Sequence, residues 1–318
     1  MHLEGCIPAA LAGRVAREHG AASPVPIVEG RPEITSLKGL LDYLDWSCAL
    51  IDRREHLEEI AYESAKRMHD SGILYADVIF NPSHWPHWRG RVGEMTRGLA
   101  LGAAAAERDG YTPIGLCLSL KRQQSRAEAN EIVDWLLEAR PERVVALSID
   151  GNEAAGSHNE RFAEAFARAA AGGLRRCAHA GESSGADGVR EAIEMLGAER
   201  IDHGVRSIED PSVVAELVER GVPLDICPTS NVVLGVVPSL SAHPVERLRR
   251  AGVRVSLNTD DPVLYGIDLA GEYEEVAATF RLGADALSEM ARVSIEASFA
   301  TEELKAAISR RLDDFLAR

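Results

Sequence analysis

Strand-like and helix-like segments alternate along this chain from residue 73 to residue 258, and that alternation constrains its fold more than any other feature. β-type runs lie at 73–80, 114–120, 144–149, 176–180, 200–203, 223–227 and 253–258. Between them, apolar residues recur with helical spacing at 95–108, 127–139, 162–171, 189–196, 213–220 and 244–251. Gly110, Pro141, Gly173, Gly197, Gly221 and Gly252 punctuate the joins. The repeat is roughly 25–35 residues, the length of a strand plus its crossover helix, so the strands must run parallel.

Two parallel architectures compete. An open doubly wound sheet usually carries a glycine-rich phosphate loop after its first strand. Neither GxGxxG nor a Walker sequence is present. Polar residues instead recur at the C-terminal ends of several strands, where a closed barrel builds its site. The expected fold is α/β, a (β/α)8 TIM barrel spanning 1–318 as one domain. Extra helices are expected after the first motif (7–19, 37–51 and 54–68) and at the C-terminus, to Phe315.

Four short clusters end such strands. They are His2-Leu3-Glu4-Gly5, His179-Ala180-Gly181-Glu182, Asp202-His203-Gly204 and Asn258-Thr259-Asp260-Asp261-Pro262. Imidazole and carboxylate donors together suit a zinc ion that activates water. His2, His179 and Asp260 are the natural metal ligands. Glu182 is placed to donate or accept a proton beside the metal, and His203 to stabilise or deprotonate the water. Asp261 either holds a substrate nitrogen or caps the turn that follows.

Bulk properties agree with a soluble enzyme. The net charge of −15 argues against a nucleic-acid or anionic-membrane partner. The five cysteines, Cys6, Cys48, Cys117, Cys177 and Cys227, show no CxxC spacing, so neither a disulfide framework nor a cysteine-zinc site is expected. A cytoplasmic protein without signal peptide or membrane span is the expectation.

Together with Cys227-Pro228-Thr229-Ser230-Asn231, these clusters resemble the adenosine and adenine deaminases of the metal-dependent amidohydrolase superfamily, in family order and over nearly the whole chain. The resemblance implies hydrolytic deamination of an adenosine- or adenine-type substrate with one zinc ion per chain, bound by His2, His179 and Asp260. It implies that Glu182 protonates the purine ring nitrogen, that His203 orients and deprotonates the attacking water, and that Asp261 meets the imidazole side of the purine. Gly151, in Ser148-Ile149-Asp150-Gly151-Asn152-Glu153, would supply a backbone contact to the ring. The implied partner is a small-molecule purine base or nucleoside, and a homo-oligomer is compatible with the sequence.

The chain departs from the family pattern at two places. The family opens its site with His-x-His, whereas here Met1 takes the middle position and His2 the last, so the first strand is expected to be truncated and the native chain to extend upstream. Glu4 stands where adenosine deaminases usually carry Asp, a residue that reaches the ribose; the longer side chain would fill sugar space and favour a free base. The aromatic segment 81–90, with Trp85 and Trp88, is expected either to stack on or cap the purine, or to pack on a neighbouring helix or subunit.

Other readings stay open. An amide or ester hydrolase of the same superfamily would commonly bridge two metals with a carboxylated lysine; Lys121 is the one remote candidate. A zinc-depleted, non-catalytic purine binder is another. Cytidine-deaminase chemistry needs a PCxxC sequence, which is absent.

Overall fold

The computed structural model describes residues 1–28, 31–34, 37–153 and 159–317. In chain order its elements are α1 (Ala9–His19), β1 (Ile27–Val28), β2 (Arg31–Pro32), α2 (Leu37–Leu50), α3 (Arg54–Asp70), β3 (Ala76–Phe80), α4 (Val92–Arg108), β4 (Ile114–Lys121), α5 (Arg126–Ala139) and β5 (Val144–Asp150). There follow α6 (Ala163–Ala171), β6 (Arg175–Ala180), α7 (Ala186–Met195), β7 (Arg200–His203), α8 (Pro211–Arg220), β8 (Leu224–Ile226), α9 (Pro228–Val233), α10 (Val245–Arg250) and β9 (Val255–Leu257). The chain ends in α11 (Pro262–Tyr265), α12 (Leu269–Phe280), α13 (Ala284–Ala297) and α14 (Glu302–Leu316).

Among the described residues, β3 to β9 make a seven-stranded sheet whose hydrogen-bonded neighbours follow chain order without reversal. Unreversed parallel order is the winding of a (β/α)8 barrel; a doubly wound sheet reverses direction at a switch point. The extra helices stand where expected, α1 to α3 before the sheet and α12 to α14 after it. No helix among the described residues is long and apolar enough to cross a membrane.

By internal contacts the chain divides into two compact units. The first comprises Met1–Ser119, Arg140–Val144 and Thr259–Asp268. In it, Ala76 to Phe80 of β3 pair in parallel register with Ile114 to Leu118 of β4. Val78, Phe80, Leu116 and Leu118 are buried, as expected of a parallel strand covered on both faces. Ahead of β3, His2 makes an isolated parallel bridge to Ile79. Leu3 N–H donates to Ile79 C=O at 2.8 Å, Ile79 N–H to Met1 C=O at 2.9 Å, and His2 N–H to Asp260 C=O at 2.9 Å. Helix α4 lies tightly on α3, because a Cβ on Gly102 would fall 2.0 Å from the Glu58 carbonyl oxygen. Leu40, Tyr43 and Leu264 form a further small core.

The second unit comprises Leu120–Ala139, Val145–Asn258 and the chain from Leu269 onward. Here β6 pairs with β7, β7 with β8 and β8 with β9, all parallel. Helix α8 shows how local sequence bounds an element. The Asp210 side chain accepts from Ser212 N–H at 2.8 Å, Pro211 occupies the first turn, and Gly221 ends the helix at φ 64°. The sequence reading missed the antiparallel β1–β2 pair and the short helices α9 and α11, each too brief to show a period.

Candidate active site

In the first unit the site residues form a carboxylate cluster around one imidazole. The bridge from His2 to Ile79 sets the His2 ring between two acids, with Nδ1 3.8 Å from Glu4 Oε2 and Nε2 3.8 Å from Asp260 Oδ1. Glu4 is 2% exposed. Its Oε1 accepts Asn81 N–H at 2.8 Å and the Trp85 indole N–H at 2.6 Å. Asp261 follows Asp260 at the head of α11, with Tyr265 O–H donating to its Oδ2 at 3.5 Å. Burial, the adjacent Asp260 and Glu4 push its carboxyl up to about 7, against the opposing pull of His2. Gly5 makes room for this side chain, since a Cβ there would meet Asp261 Oδ1 at 1.9 Å.

The segment 81–90 packs inward. Trp85 and Trp88 are 0% and 1% exposed, so neither indole is available to stack on a ligand from solvent. Trp85 holds Glu4, and Trp88 N–H donates to Ile51 C=O at 2.6 Å. The packing alternative of the sequence reading is the one observed, and the chemical consequence falls on Glu4.

In the second unit, His179, Glu182 and His203 come together. His179 stands on β6 beside Asp202 of β7, the two strands pairing at that level. His179 Nδ1 faces Asp202 Oδ2 at 3.4 Å. A carboxylate behind one ring nitrogen directs the other outward as a ligand. The His203 ring lies 5.0 Å from that of His179, and its Nδ1 is 3.7 Å from Glu182 Oε1. His203 and Asp260 both adopt left-handed backbone, at φ 67° and 58°, although neither is glycine. That conformation costs about 1–2 kcal/mol per residue and is concentrated at functional turns.

The turn carrying Glu182 is held by a residue to which the sequence reading assigned no role. Glu153 Oε2 accepts the backbone N–H groups of Glu182, Ser183 and Ser184 at 3.1, 2.9 and 2.7 Å. Arg122, 3% exposed, lies 3.8 Å from Glu153 Oε1 and donates to Asn159 Oδ1 and to the His179 carbonyl. Gly151 follows β5 at φ 97°, beside Gln123 of the segment after β4.

Each unit carries donors of the kind zinc takes: His2 and Asp260 in the first, and His179, His203 and Cys227 in the second. An observation within the first unit favours a cation: Glu4 Oε2 and Asp261 Oδ1 are buried with no hydrogen bond among the described residues. Buried carboxylate oxygens without donors are costly unless a cation or ligand meets them.

The family model described as Adenosine deaminase matches residues 1–315. An adenine deaminase from Geotalea uraniireducens is 33% identical over 328 residues, covering 99% of this chain and 89% of that protein. The crystal structure of an adenine deaminase from Arthrobacter aurescens superposes with a TM-score of 0.89 at 28% identity, covering 100% of this chain and 98% of the other. An amidohydrolase from Burkholderia ambifaria with bound Zn superposes with a TM-score of 0.84 at 26% identity, covering 99% and 90%.

Proposed function

The chain belongs to the adenosine deaminase family, as a hydrolase that releases ammonia from a purine, and we propose that its substrate is a free adenine-type base and its metal one zinc ion. Residues 1–318 would act as one catalytic domain.

His2, His179 and Asp260 would hold the zinc, which supplies a Lewis acid that makes water a nucleophile at neutral pH. Every other step falls to the chain's own groups. Glu182 passes a proton from its carboxyl to the ring nitrogen beside the amino-bearing carbon, which turns that carbon into a better electrophile. His203 holds the attacking water by a ring nitrogen. Asp261, with its carboxyl raised toward neutrality, meets the imidazole side of the purine, and the Gly151 backbone meets the ring. Glu153 keeps the Glu182 turn in place.

One observation carries the free-base reading. Glu4 stands where the family pattern usually carries the shorter Asp that reaches a ribose, and it is buried with Oε1 taken by Asn81 and Trp85. A side chain so held cannot swing aside for a sugar without breaking two hydrogen bonds, one from an indole. The names of the Geotalea and Arthrobacter relatives support the same choice.

The test is ammonia release from adenine and from adenosine, with metal content measured on the same protein. Adenine should exceed adenosine in kcat/KM by at least ~10²-fold, because the sugar has nowhere to go. Equal or reversed preference would remove the free-base reading. Glu182→Gln should keep its metal and lose at least ~10²-fold in kcat.

A further inference from the structure

His203 ends a chain of hydrogen bonds that starts at a backbone amide. Val245 N–H donates to His243 Nδ1 at 3.1 Å, so that ring nitrogen carries no proton. His243 is 2% exposed. Burial pushes its pKa down to about 4. The ring is therefore neutral at pH 7, with its single proton on Nε2. That nitrogen lies 3.1 Å from the Asn231 side-chain oxygen, which accepts. The amide orientation follows: Asn231 Nδ2 turns to His203 Nδ1 at 3.2 Å, and an amide nitrogen can only donate. His203 Nδ1 is left as the acceptor. Asn231 and His203 are 0% and 2% exposed, so solvent offers no substitute for these bonds.

We propose that the relay from Val245 N–H through His243 and Asn231 is a tautomer lock that holds neutral His203 with its proton on Nε2. The lock gives a role to Asn231, in the Cys227-Pro228-Thr229-Ser230-Asn231 sequence, and to His243, neither of which the reaction itself requires. Its consequence lies at Glu182, whose Oε1 is 3.7 Å from the same Nδ1. In the other tautomer, Nδ1–H would point between Asn231 and Glu182 and draw the carboxylate onto the imidazole. With Nδ1 as an acceptor, His203 and Glu182 stay separate proton-handling groups. Nε2–H is then the atom that holds the water, by donation. Asn231 and His243 are positioning residues acting through His203, and this role rests on the reading of His203 given above.

Imidazole ¹⁵N NMR distinguishes the two tautomers directly. In protein labelled at histidine, with the His203 signals assigned by their loss in His203→Asn, the wild-type ring should show a protonated Nε2 and a bare Nδ1, before and after metal removal by a chelator. Asn231→Asp presents acceptors in both directions, so it should move the proton to Nδ1 and reduce kcat by ~10²-fold or more, a wrong tautomer costing ~10⁴-fold in a serine protease. KM should change by less than ~3-fold. His243→Gln restores an amide donor toward Asn231 and should keep both the tautomer and kcat within ~10-fold. A protonated Nδ1 in the wild type overturns the lock, and this spectrum decides it even if Asn231→Asp does not fold. A reversed tautomer with undiminished turnover overturns the role of His203 in catalysis and leaves the lock standing.

Discussion

The two units differ in how far their buried polar groups are tied together by hydrogen bonds. In the first, carboxylates dominate: Glu4, Asp260 and Asp261 surround the one His2 ring, and two of their buried oxygens lack a hydrogen bond among the described residues. In the second, imidazoles and carboxylates are joined by a longer network of protein hydrogen bonds, although Glu153 Oε1 and Asp202 Oδ2 are likewise buried without one. Glu153 takes three backbone N–H groups, and Asn231 sits between two histidines. Open carboxylate oxygens therefore occur in both units, and what sets the second apart is the hydrogen-bond network around its proton-handling groups.

Metal removal should break the comparison most visibly. Chelation is expected to reduce turnover by more than ~10³-fold. Hydrogen exchange should then rise more at residues 1–6 and 259–265 than at residues 179–184. Equal loss of protection at both would show that the second unit also depends on the metal.

The pH dependence of unfolding reaches the second unit through His243. The ordinary pKa of His243 is 6.5 and its folded value is about 4. Unfolding below pH 6.5 therefore takes up a proton that the folded ring excludes. The stabilisation is fully present above pH 6.5 and is lost as pH falls toward 4, by about 3 kcal/mol at most. Urea unfolding at pH 4, 5, 6.5 and 8 should show this slope as the difference between wild type and His243→Gln, because Asp261, pushed up to about 7 by burial, contributes a slope of opposite sign to both. In His243→Gln that component should be absent, while His56, also lowered chiefly by burial, keeps its own contribution.

Glu153→Gln tests the hold on the Glu182 turn. A neutral amide oxygen accepts the three N–H groups more weakly, and Arg122 loses the charge facing it. The expected cost is about 2 kcal/mol of stability with a kcat loss of ~10-fold or more. A kcat loss without any stability change would point to Glu153 touching the substrate itself.

Trp85→Phe sharpens the first-unit picture with the smallest effect. It removes one donor from Glu4 and keeps the ring, for about 1 kcal/mol. The adenine-over-adenosine ratio should fall several-fold as Glu4 gains freedom, measured by ammonia release. An unchanged ratio would separate Trp85 from substrate choice.

What could be read from the sequence follows from range. The βα alternation, the helix caps and the polar residues ending each strand are local patterns, and each reports its own segment. They sufficed to bring out a parallel barrel order and to single out His2, His179, Glu182, His203, Asp260 and Asp261. Helix limits shifted by only a few residues, as at α6, which begins at Ala163 and not Phe162, because end turns carry little periodicity.

The groups that hold those residues were not legible. Trp85 lies 81 positions from Glu4 and Glu153 lies 29 positions from Glu182, and nothing in either local pattern announces the pairing. Two tryptophans among prolines left stacking on a ligand and packing on a neighbour both open, and the fold buries both with their indoles bonded. His243 carried no role in the sequence reading. The sequence by itself determined the order of strands and which residues stand at their ends. Tertiary structure alone decided which buried donor meets which acceptor, because a hydrogen bond depends on placement to a fraction of an ångström, and residues distant in sequence gain that placement only by packing.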